Sequence, residues 1–576
     1  MAPEHRPGPA ADAASPSTVE ATSPLSPPSS SEQTSAPLVE PSSGLTRRQL
    51  LQGGVLSGAA LLTAAVEART HARTSATDDV GVASGDPRAD SVVIWTRVPS
   101  GNQSSSVVVS WQVATAQDFA TGSVVKSGTF TTDASRDFTV KVKVTGLQPY
   151  THYFYRFSTT TGYASEVGRT LTAPLPTDSS VVPRFAFVSC QKYTSGYYNV
   201  FTTLATEDVD FCIHLGDCIY ESGGSDVRVD TIGEVQAGRA ITLNDFRNKY
   251  KLYLSDPEYR KVRALHPWIC VWDDHEVFND YAGGDPSMSQ ADRDIQSAGY
   301  QAYSEFMPLE PDLPFSKSNG ITQYQIYRSF QYGALLDVIA VDTRQYRDAA
   351  VCRRDVATPG CDDLYAEDRT LMGVTQRDWV LNTLSRSTAR WKVLANQVMM
   401  MALKLSNGAL GFRPNGGVIQ TYDGYYINGD QWDGFPAERT LLLEHVEQQK
   451  ISNFVVITGD IHNCYAGLLR SDFTNRKAPY SGVELVTGSV TSSGIGDSTG
   501  AWNPTSAYAA ALAPANPHLT WVDAKYHNYT LMECKQEGLN VRYVSVSTIK
   551  NTTYTPSVLA RFYIPDGIST LIPGEI

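Results

Sequence analysis

Five apolar runs in the second part of the chain each end in polar residues, and this repetition constrains the fold more than any other feature. Phe185-Ala186-Phe187-Val188 leads into Ser189-Cys190, and Phe211 to Leu215 leads into Gly216-Asp217. Trp268 to Trp272 leads into Asp273-Asp274-His275-Glu276, Leu335 to Val341 into Asp342-Thr343-Arg344, and Phe454 to Ile457 into Thr458-Gly459-Asp460-Ile461-His462. Short continuous apolar runs fit strands that are buried on both faces. In α/β sheets the loops at the carboxyl edge of such strands build the site. The stretches Leu243–Leu254 and Glu438–Gln449 predict helices that cover the sheet faces. An α/β domain over residues 180–576 is therefore expected.

The preceding stretch has another texture. Residues 78–175 hold several short strand candidates, Ser91–Thr96, Val107–Val113 and Phe138–Val144, followed by the aromatic run Tyr150–Tyr155. Phe138–Val144 alternates with period two, as a strand with one wet face does. Turn signals between these strands predict an all-β sandwich of the fibronectin or immunoglobulin kind, with nothing catalytic in it.

The first 72 residues read as an address. Residues 1–44 are rich in Pro, Ser, Ala and Thr, a composition that cannot bury enough surface to offset chain entropy, and they are expected to be disordered. Within residues 45–72, Arg47-Arg48 precede a soft run from Gly53 to Val66, the form of a twin-arginine export signal. That run is shorter than the ~20 apolar residues a membrane span needs. The reading implies the twin-arginine export machinery as a partner, a periplasmic or extracellular location, and a chain that can load metal before it leaves the cytoplasm. With 47 basic against 60 acidic residues the chain carries a formal charge of −13, which argues against a nucleic-acid scaffold role.

The chemistry sits at the ends of the runs. Asp217 and Tyr220 in Gly216-Asp217-Cys218-Ile219-Tyr220 can face one metal, although an Asp at a strand end is also a common helix cap. Asp273 to Glu276 place four titratable residues directly after an apolar run, which is costly near a core. Asp460 and His462 stand at i, i+2 after another run. Carboxylates, imidazoles and a phenol converging on one edge suit Fe(III), Mn, Mg or Ca better than a closed zinc site.

Taken in order, Ser189-Cys190-Gln191, Gly216-Asp217-x-x-Tyr220, Trp272-Asp273-Asp274-His275-Glu276 with Asn279, Asp342-Thr343-Arg344-Gln345-Tyr346-Arg347 and Gly459-Asp460-x-His462 resemble the PhoD family of alkaline phosphatases and phosphodiesterases, which includes calcium-activated phospholipases D. The resemblance runs from Val82-Ala83-Ser84-Gly85-Asp86-Pro87 to Gly488–Gly494. It implies a metallophosphoesterase-like β-sandwich core flanked by helices, with one Fe(III) and two Ca2+. Carried over residue by residue, Cys190, Tyr220 and His462 would bind the iron, and Asp217 would bridge iron and calcium. Asp274, Asn279 and Asp460 would bind calcium, and His275 would approach the substrate oxygens or the leaving group. Arg344 is left with two roles, a phosphate clamp or a partner to the ligands. The implied activity is hydrolysis of phosphate mono- and diesters by a metal-activated oxygen nucleophile.

Two rivals accompany this reading: a phospholipase D acting on phosphatidylcholine-like lipids, and a non-catalytic extracellular binding protein. Other residues are set aside. Cys352 and Cys361 could pair as a local disulfide after export, whereas Cys212, Cys218, Cys270, Cys464 and Cys534 read as small apolar core groups. His214 reads as a hydrogen-bonded core histidine, and His266 as a loop residue that could lie near the site. The Tyr422–Tyr426 cluster with Trp432 reads as loop packing in preference to a substrate groove. Tyr563–Ile576 is a candidate lid over the site. Nothing in the sequence requires more than a monomer.

Overall fold

The computed structural model describes residues 80–99, 106–233, 238–318, 321–351, 362–406, 424–498 and 504–575. The twin-arginine stretch and the Cys352/Cys361 pair lie outside these residues.

Two mixed sheets form the core. The larger has ten strands, and at its centre Arg184–Val188, Phe211–His214, Pro267–Cys270 and Val82–Gly85 run parallel. Antiparallel strands Asn528–Cys534, Gly538–Val546 and Pro556–Pro565 extend it on one side, and Ser91–Arg97 and Thr139–Thr145 on the other. In the second sheet, of seven strands, Leu336–Ala340, Trp391–Ala395, Phe454–Thr458 and Gly482–Val486 are parallel.

The expected apolar runs are continuous because both faces of these strands are covered. Val338, Ala340, Val393, Ala395, Val455 and Ile457 join the core shared with the ten-stranded sheet. Their alternates Ile339, Leu394 and Val456 join a second core with Val380, Leu384, Leu442 and Leu443 of helices Val374–Arg386 and Pro436–Gln448. The period-two geometry of a strand sends successive side chains into two different cores. Helices Leu243–Leu254, Pro257–Leu265 and Gln290–Phe306 contribute to the first core through Tyr250, Tyr259 and Tyr303. The first begins at a capping box formed by Thr242 and Asp245, and the second has Asp256 as N-cap before Pro257.

The N-terminal β-sandwich has its own four-stranded sheet, Val124–Thr132, Val107–Ala114, His152–Thr159 and Gly168–Leu171. Its facing layer is borrowed. Val92, Ile94, Val140 and Val144 pack beneath that sheet, yet their strands Ser91–Arg97 and Thr139–Thr145 belong to the ten-stranded sheet. The sandwich and the α/β core thus share a layer.

The C-terminal segment is an edge strand and covers no site. Tyr563 pairs with Asn540, Asn540 with Glu533, and Glu533 with Arg184, at the start of Arg184–Val188. Cys190 lies beyond the opposite end of that strand, so the register excludes the lid expected of Tyr563–Ile576. His266 is corrected by the same logic. It is buried at the amino end of Pro267–Cys270, while the site lies past the carboxyl end.

Candidate metal centre

The parallel strands of both sheets deliver their carboxyl ends to one place. Three groups of donors form there, with the ligand atoms of each within 4.8 Å of one another: Cys190, Asp217 and His462; Asp217, Asp274 and His275; and Asp273, Asp274 and Asp460. Asp217 belongs to the first two and Asp274 to the last two, so the groups are contiguous. Tyr220 completes the first: its Oη donates to Asp217 Oδ2 at 2.8 Å and lies 3.3 Å from His462 Nε2.

The backbone is bent to achieve this. Cys190, Asp217 and Asp460 each have φ 59°, and His462 has φ 55°. The left-handed region is costly for residues with a Cβ and persists where surrounding structure imposes it. Gly216 makes one such turn possible, with φ +117° and an ideal Cβ that would fall 2.3 Å from Asp273 Cβ. Glu276 is the main brace. Its buried carboxylate accepts the backbone N–H groups of Asp217, Cys218 and Asp273 at 3.1, 2.5 and 2.8 Å. His214 is the core histidine expected: Gly216 N–H donates to its Nδ1 at 3.3 Å, and its Nε2 lies 3.0 Å from Gln191 Oε1.

A further layer orients the donors. Ser493 carbonyl accepts from His462 Nδ1 at 3.0 Å, which turns Nε2 toward Tyr220. Ser492 hydroxyl lies 2.6 Å from Tyr220 Oη and 2.9 Å from the Cys190 carbonyl. Glu221 Oε2 is 2.7 Å from His275 Nδ1, and its Oε1 accepts the Asn279 N–H at 3.3 Å. Asn279 itself is exposed. The adjoining Asp280 donates its N–H to Asp274 Oδ2 at 2.5 Å, and burial with the Asp430, Asp274 and Asp460 carboxylates nearby pushes its carboxyl up to about 7.

Arg344 is enclosed, with no solvent exposure. Its Nε donates to Asp273 Oδ1 at 2.5 Å, its Nη1 to Asp430 Oδ1 at 3.1 Å and its Nη2 to Asp460 Oδ1 at 3.5 Å. Of the two roles left open for it, this geometry favours a partner to the ligands. Arg347 holds Asp430 from the other side at 2.7 Å, and Gln431 Nε2 donates to Asp460 Oδ2.

Carboxylates outnumber the cationic side chains Arg344, Arg347 and His275 at the site. Burial, with Asp274, Glu276 and Asp460 nearby, pushes the Asp217 carboxyl well above the usual carboxylate range. Burial and the Asp274 and Asp430 carboxylates raise Asp460 to about 6, against the pull of Arg344. Burial also raises the Cys190 thiol and the Tyr220 phenol. It lowers His462 to about 4, leaving the neutral imidazole that ligates metals. Asp274 is opposite: burial works against ionisation, but His275, Arg344 and the Asp280 N–H hold it below the ordinary range. His275 is raised despite its burial by Asp274, Asp217 and Glu221.

The donor set fits bound cations. Asp274 Oδ1 and Asp273 Oδ2 are closed to solvent and accept no hydrogen bond, an expensive state for carboxylate oxygens unless a cation faces them. A cation also lowers the pKa of thiol and phenol ligands so that they bind deprotonated. Glu221, Asp430, Gln431 and Ser492 escaped the sequence reading. Glu221 adjoins Tyr220 and could have been suspected, whereas the Asp430–Gln431 loop carries no local signal.

Five set-aside cysteines, Trp432 and Tyr426 pack in the interior, while Tyr422 lies outside the described residues. Cys212, Cys218, Cys270, Cys464 and Cys534 are buried and free. Trp432 is buried and donates to Asn396 Oδ1 at 3.1 Å, and Tyr426 is buried beside Arg439. Among the described residues no helix is long and apolar enough to cross a membrane.

Comparison with known proteins agrees with this geometry. Residues 185–543 match the PhoD-like phosphatase family, and residues 62–174 match the PhoD-like phosphatase N-terminal domain. Alkaline phosphatase D of Bacillus subtilis (strain 168) is 38% identical over 431 residues, covering 72% of this chain and 70% of that protein. A solved structure of PhoD superposes with a TM-score of 0.76 at 33% identity, covering 86% of this chain and 92% of the other. The chain belongs to the PhoD-like phosphatase family and is a phosphoric ester hydrolase.

Proposed function

We propose that the protein is an exported, metal-dependent alkaline phosphatase and phosphodiesterase. One observation carries the reading: three contiguous donor groups share Asp217 and Asp274 at the edge where the parallel strands end. Cys190, Tyr220 and His462 supply the thiolate, phenolate and imidazole that suit Fe(III), with Asp217 shared toward the next position. Asp274 and Asp460 supply the hard oxygens that suit two Ca2+. Asn279 would add a ligand from the rim, where Asp280 competes for the role. Cations held by these residues would supply activation of water and neutralisation of charge on the phosphoryl group.

The remaining work falls to side chains of this chain. His275 has its Nδ1 engaged by Glu221, so its Nε2 is available to donate to a substrate oxygen or to the leaving group. Arg344 positions Asp273 and Asp460 and keeps their charges from forcing the site apart. Every proposed ligand comes from one copy of the chain, so a monomer suffices. Export rests on Arg47-Arg48 and the soft run behind them.

Metal analysis of protein purified without chelator, together with its visible spectrum, tests the cofactor assignment. About one iron and two calcium per chain, with a tyrosinate-to-iron band, are expected. Zinc or manganese alone, without colour, would remove the iron-ligand roles of Cys190 and Tyr220. Asp217→Ala and His462→Ala should each abolish hydrolysis of p-nitrophenyl phosphate and bis(p-nitrophenyl) phosphate while the circular dichroism is retained. Near wild-type rates in either variant would sink the assignment.

A further inference from the structure

A phosphomonoester at alkaline pH carries one more negative charge than a diester, and a cationic side chain that meets this charge, in addition to bound cations, would separate the two substrates. The cationic side chains around the centre are nearly all committed. Arg344 is divided among Asp273, Asp430 and Asp460, Arg347 holds Asp430, and His275 has its Nδ1 paired with Glu221 and its Nε2 assigned to a substrate oxygen or the leaving group. Slightly further out, Lys249 is paired with Asp230 at 2.7 Å and Arg228 with Asp256 at 2.6 Å.

Lys192 differs. Its backbone is pinned at the site: its N–H donates to Ser492 Oγ at 3.2 Å, and its carbonyl accepts from Thr491 Oγ1 at 2.8 Å. It stands two residues after Cys190, is half-buried, and forms no ion pair with any described residue. Its Nζ lies 5.4 Å from the centroid of the Tyr220 ring, whose Oη touches Asp217. That distance is near the outer limit of about 6 Å for a cation–π contact, a weak hold that a phosphate oxygen can displace. The stem carries a compact ammonium on four flexible carbons, so the charge can follow an oxygen that an enclosed guanidinium cannot reach.

We infer that Lys192 is a specificity-determining residue that binds the second negative charge of a phosphomonoester dianion, and of the inorganic phosphate released from it. The inference rests on the phosphoesterase reading of this site. It predicts that removing the ammonium separates the two substrate classes, because a diester lacks the charge that Lys192 meets.

The test compares wild type, Lys192→Gln, Lys192→Met and Lys192→Arg as metal-loaded full chains. The measurements are kcat/KM on p-nitrophenyl phosphate and on bis(p-nitrophenyl) phosphate, inhibition by inorganic phosphate, and binding of inorganic phosphate by titration calorimetry. Lys192→Gln and Lys192→Met should each lose about tenfold on the monoester (~1.4 kcal/mol) and bind phosphate about tenfold more weakly. Losses on the diester should stay within about twofold, Lys192→Arg should restore most monoester activity, and added salt should narrow the gap. Metal content equal to wild type shows that the centre is intact. Equal losses on both esters, or unchanged phosphate binding in both neutral variants, would overturn the inference. A wild-type protein silent on both esters after metal repletion would instead overturn the phosphoesterase reading.

Discussion

Glu276 accepts the backbone N–H of Asp217 at 3.1 Å, so a carboxylate from one strand-end loop fixes the φ 59° turn of another. The same carboxylate takes the N–H groups of Cys218 and Asp273, and burial raises its pKa against these hydrogen bonds. The position of Asp217 in two donor groups is therefore set by a carboxylate that belongs to neither. Glu276→Ala leaves three buried N–H groups without a partner, each worth roughly 1–3 kcal/mol. We expect at least about 3 kcal/mol of destabilisation by urea unfolding, with loss of bound metal. A change below about 1 kcal/mol would mean that the loops hold themselves in place.

Gly216 and Gly122 make a controlled pair. Both have positive φ, +117° and +88°, but a Cβ at Gly216 would lie 2.3 Å from Asp273 Cβ, whereas one at Gly122 meets nothing within 4 Å. Gly122→Ala should cost only the backbone strain, about 1 kcal/mol. Gly216→Ala should cost several times more and reduce metal content, because Asp273 must move. Thermal melts with metal analysis of the two variants check the difference.

With the metals removed, the contribution of Asp460 to stability should fall with rising pH. Asp460 is raised to about 6 in the folded chain by burial and by neighbouring carboxylates, against an ordinary value of 3.8. A carboxyl raised on folding binds its proton more tightly in the folded state. Its contribution is fully present below about 3.8 and is lost as the pH rises through about 6. Between about pH 5 and about pH 8 chelated wild type should therefore lose melting temperature relative to chelated Asp460→Asn, a comparison that cancels the buried histidines His214, His266, His462 and His518, which gain stability over the same range. Adding back calcium and iron should recover most at the higher pH. Scanning fluorimetry of the two proteins with and without chelator reads this directly, and the same pH dependence in wild type and Asp460→Asn would contradict it.

Ser492 is a test of how the phenol is tuned. Its hydroxyl lies 2.6 Å from Tyr220 Oη, and Ser492→Ala removes that contact, together with those to the Cys190 carbonyl and the Lys192 N–H, while keeping the side chains of Cys190, Asp217 and His462. Loss of a hydrogen bond to a ligand typically costs 10–100-fold in metal affinity, and about tenfold is expected here. Competition with a chelator measures the affinity, and the visible band should shift if Tyr220 binds iron.

Glu221 should govern the charge on His275. Burial works against protonation of His275, while Asp274, Asp217 and Glu221 favour it. Glu221→Gln removes one of these carboxylates, so the imidazolium is lost at lower pH. The alkaline limb of the pH–rate profile should shift downward, with kcat reduced about tenfold and KM changed less. An unshifted limb would mean that His275 does not hold the proton that matters.

Much of this protein is written locally. The helix Leu243–Leu254 begins where the Thr242 and Asp245 capping pair begins it, and the apolar runs ending at Val188, Leu215 and Trp272 become strands of one sheet. Cys190, Asp217, Tyr220, Asp274, Asp460 and His462 are legible because each stands just past a buried run, and strand polarity sends all those ends to one edge. Local patterns say nothing about which loop from elsewhere closes over that edge. Asp430 and Gln431 reach Arg344 and Asp460 from a segment without a signal, and Ser492 reaches Tyr220 across 272 residues. Asn279 and Asp280 show the same limit at single-residue scale, since adjacent side chains on a turn face different ways and only the packed backbone selects one. The borrowed layer of the N-terminal sandwich was equally hidden, because alternation tells a strand which face to bury but not which sheet to join. The sequence by itself determined which residues could ligate, through their types and their places after apolar runs. Tertiary packing alone decided which were braced, paired or left at the rim, because hydrogen bonds and charge interactions depend on distances in space that chain separation does not record.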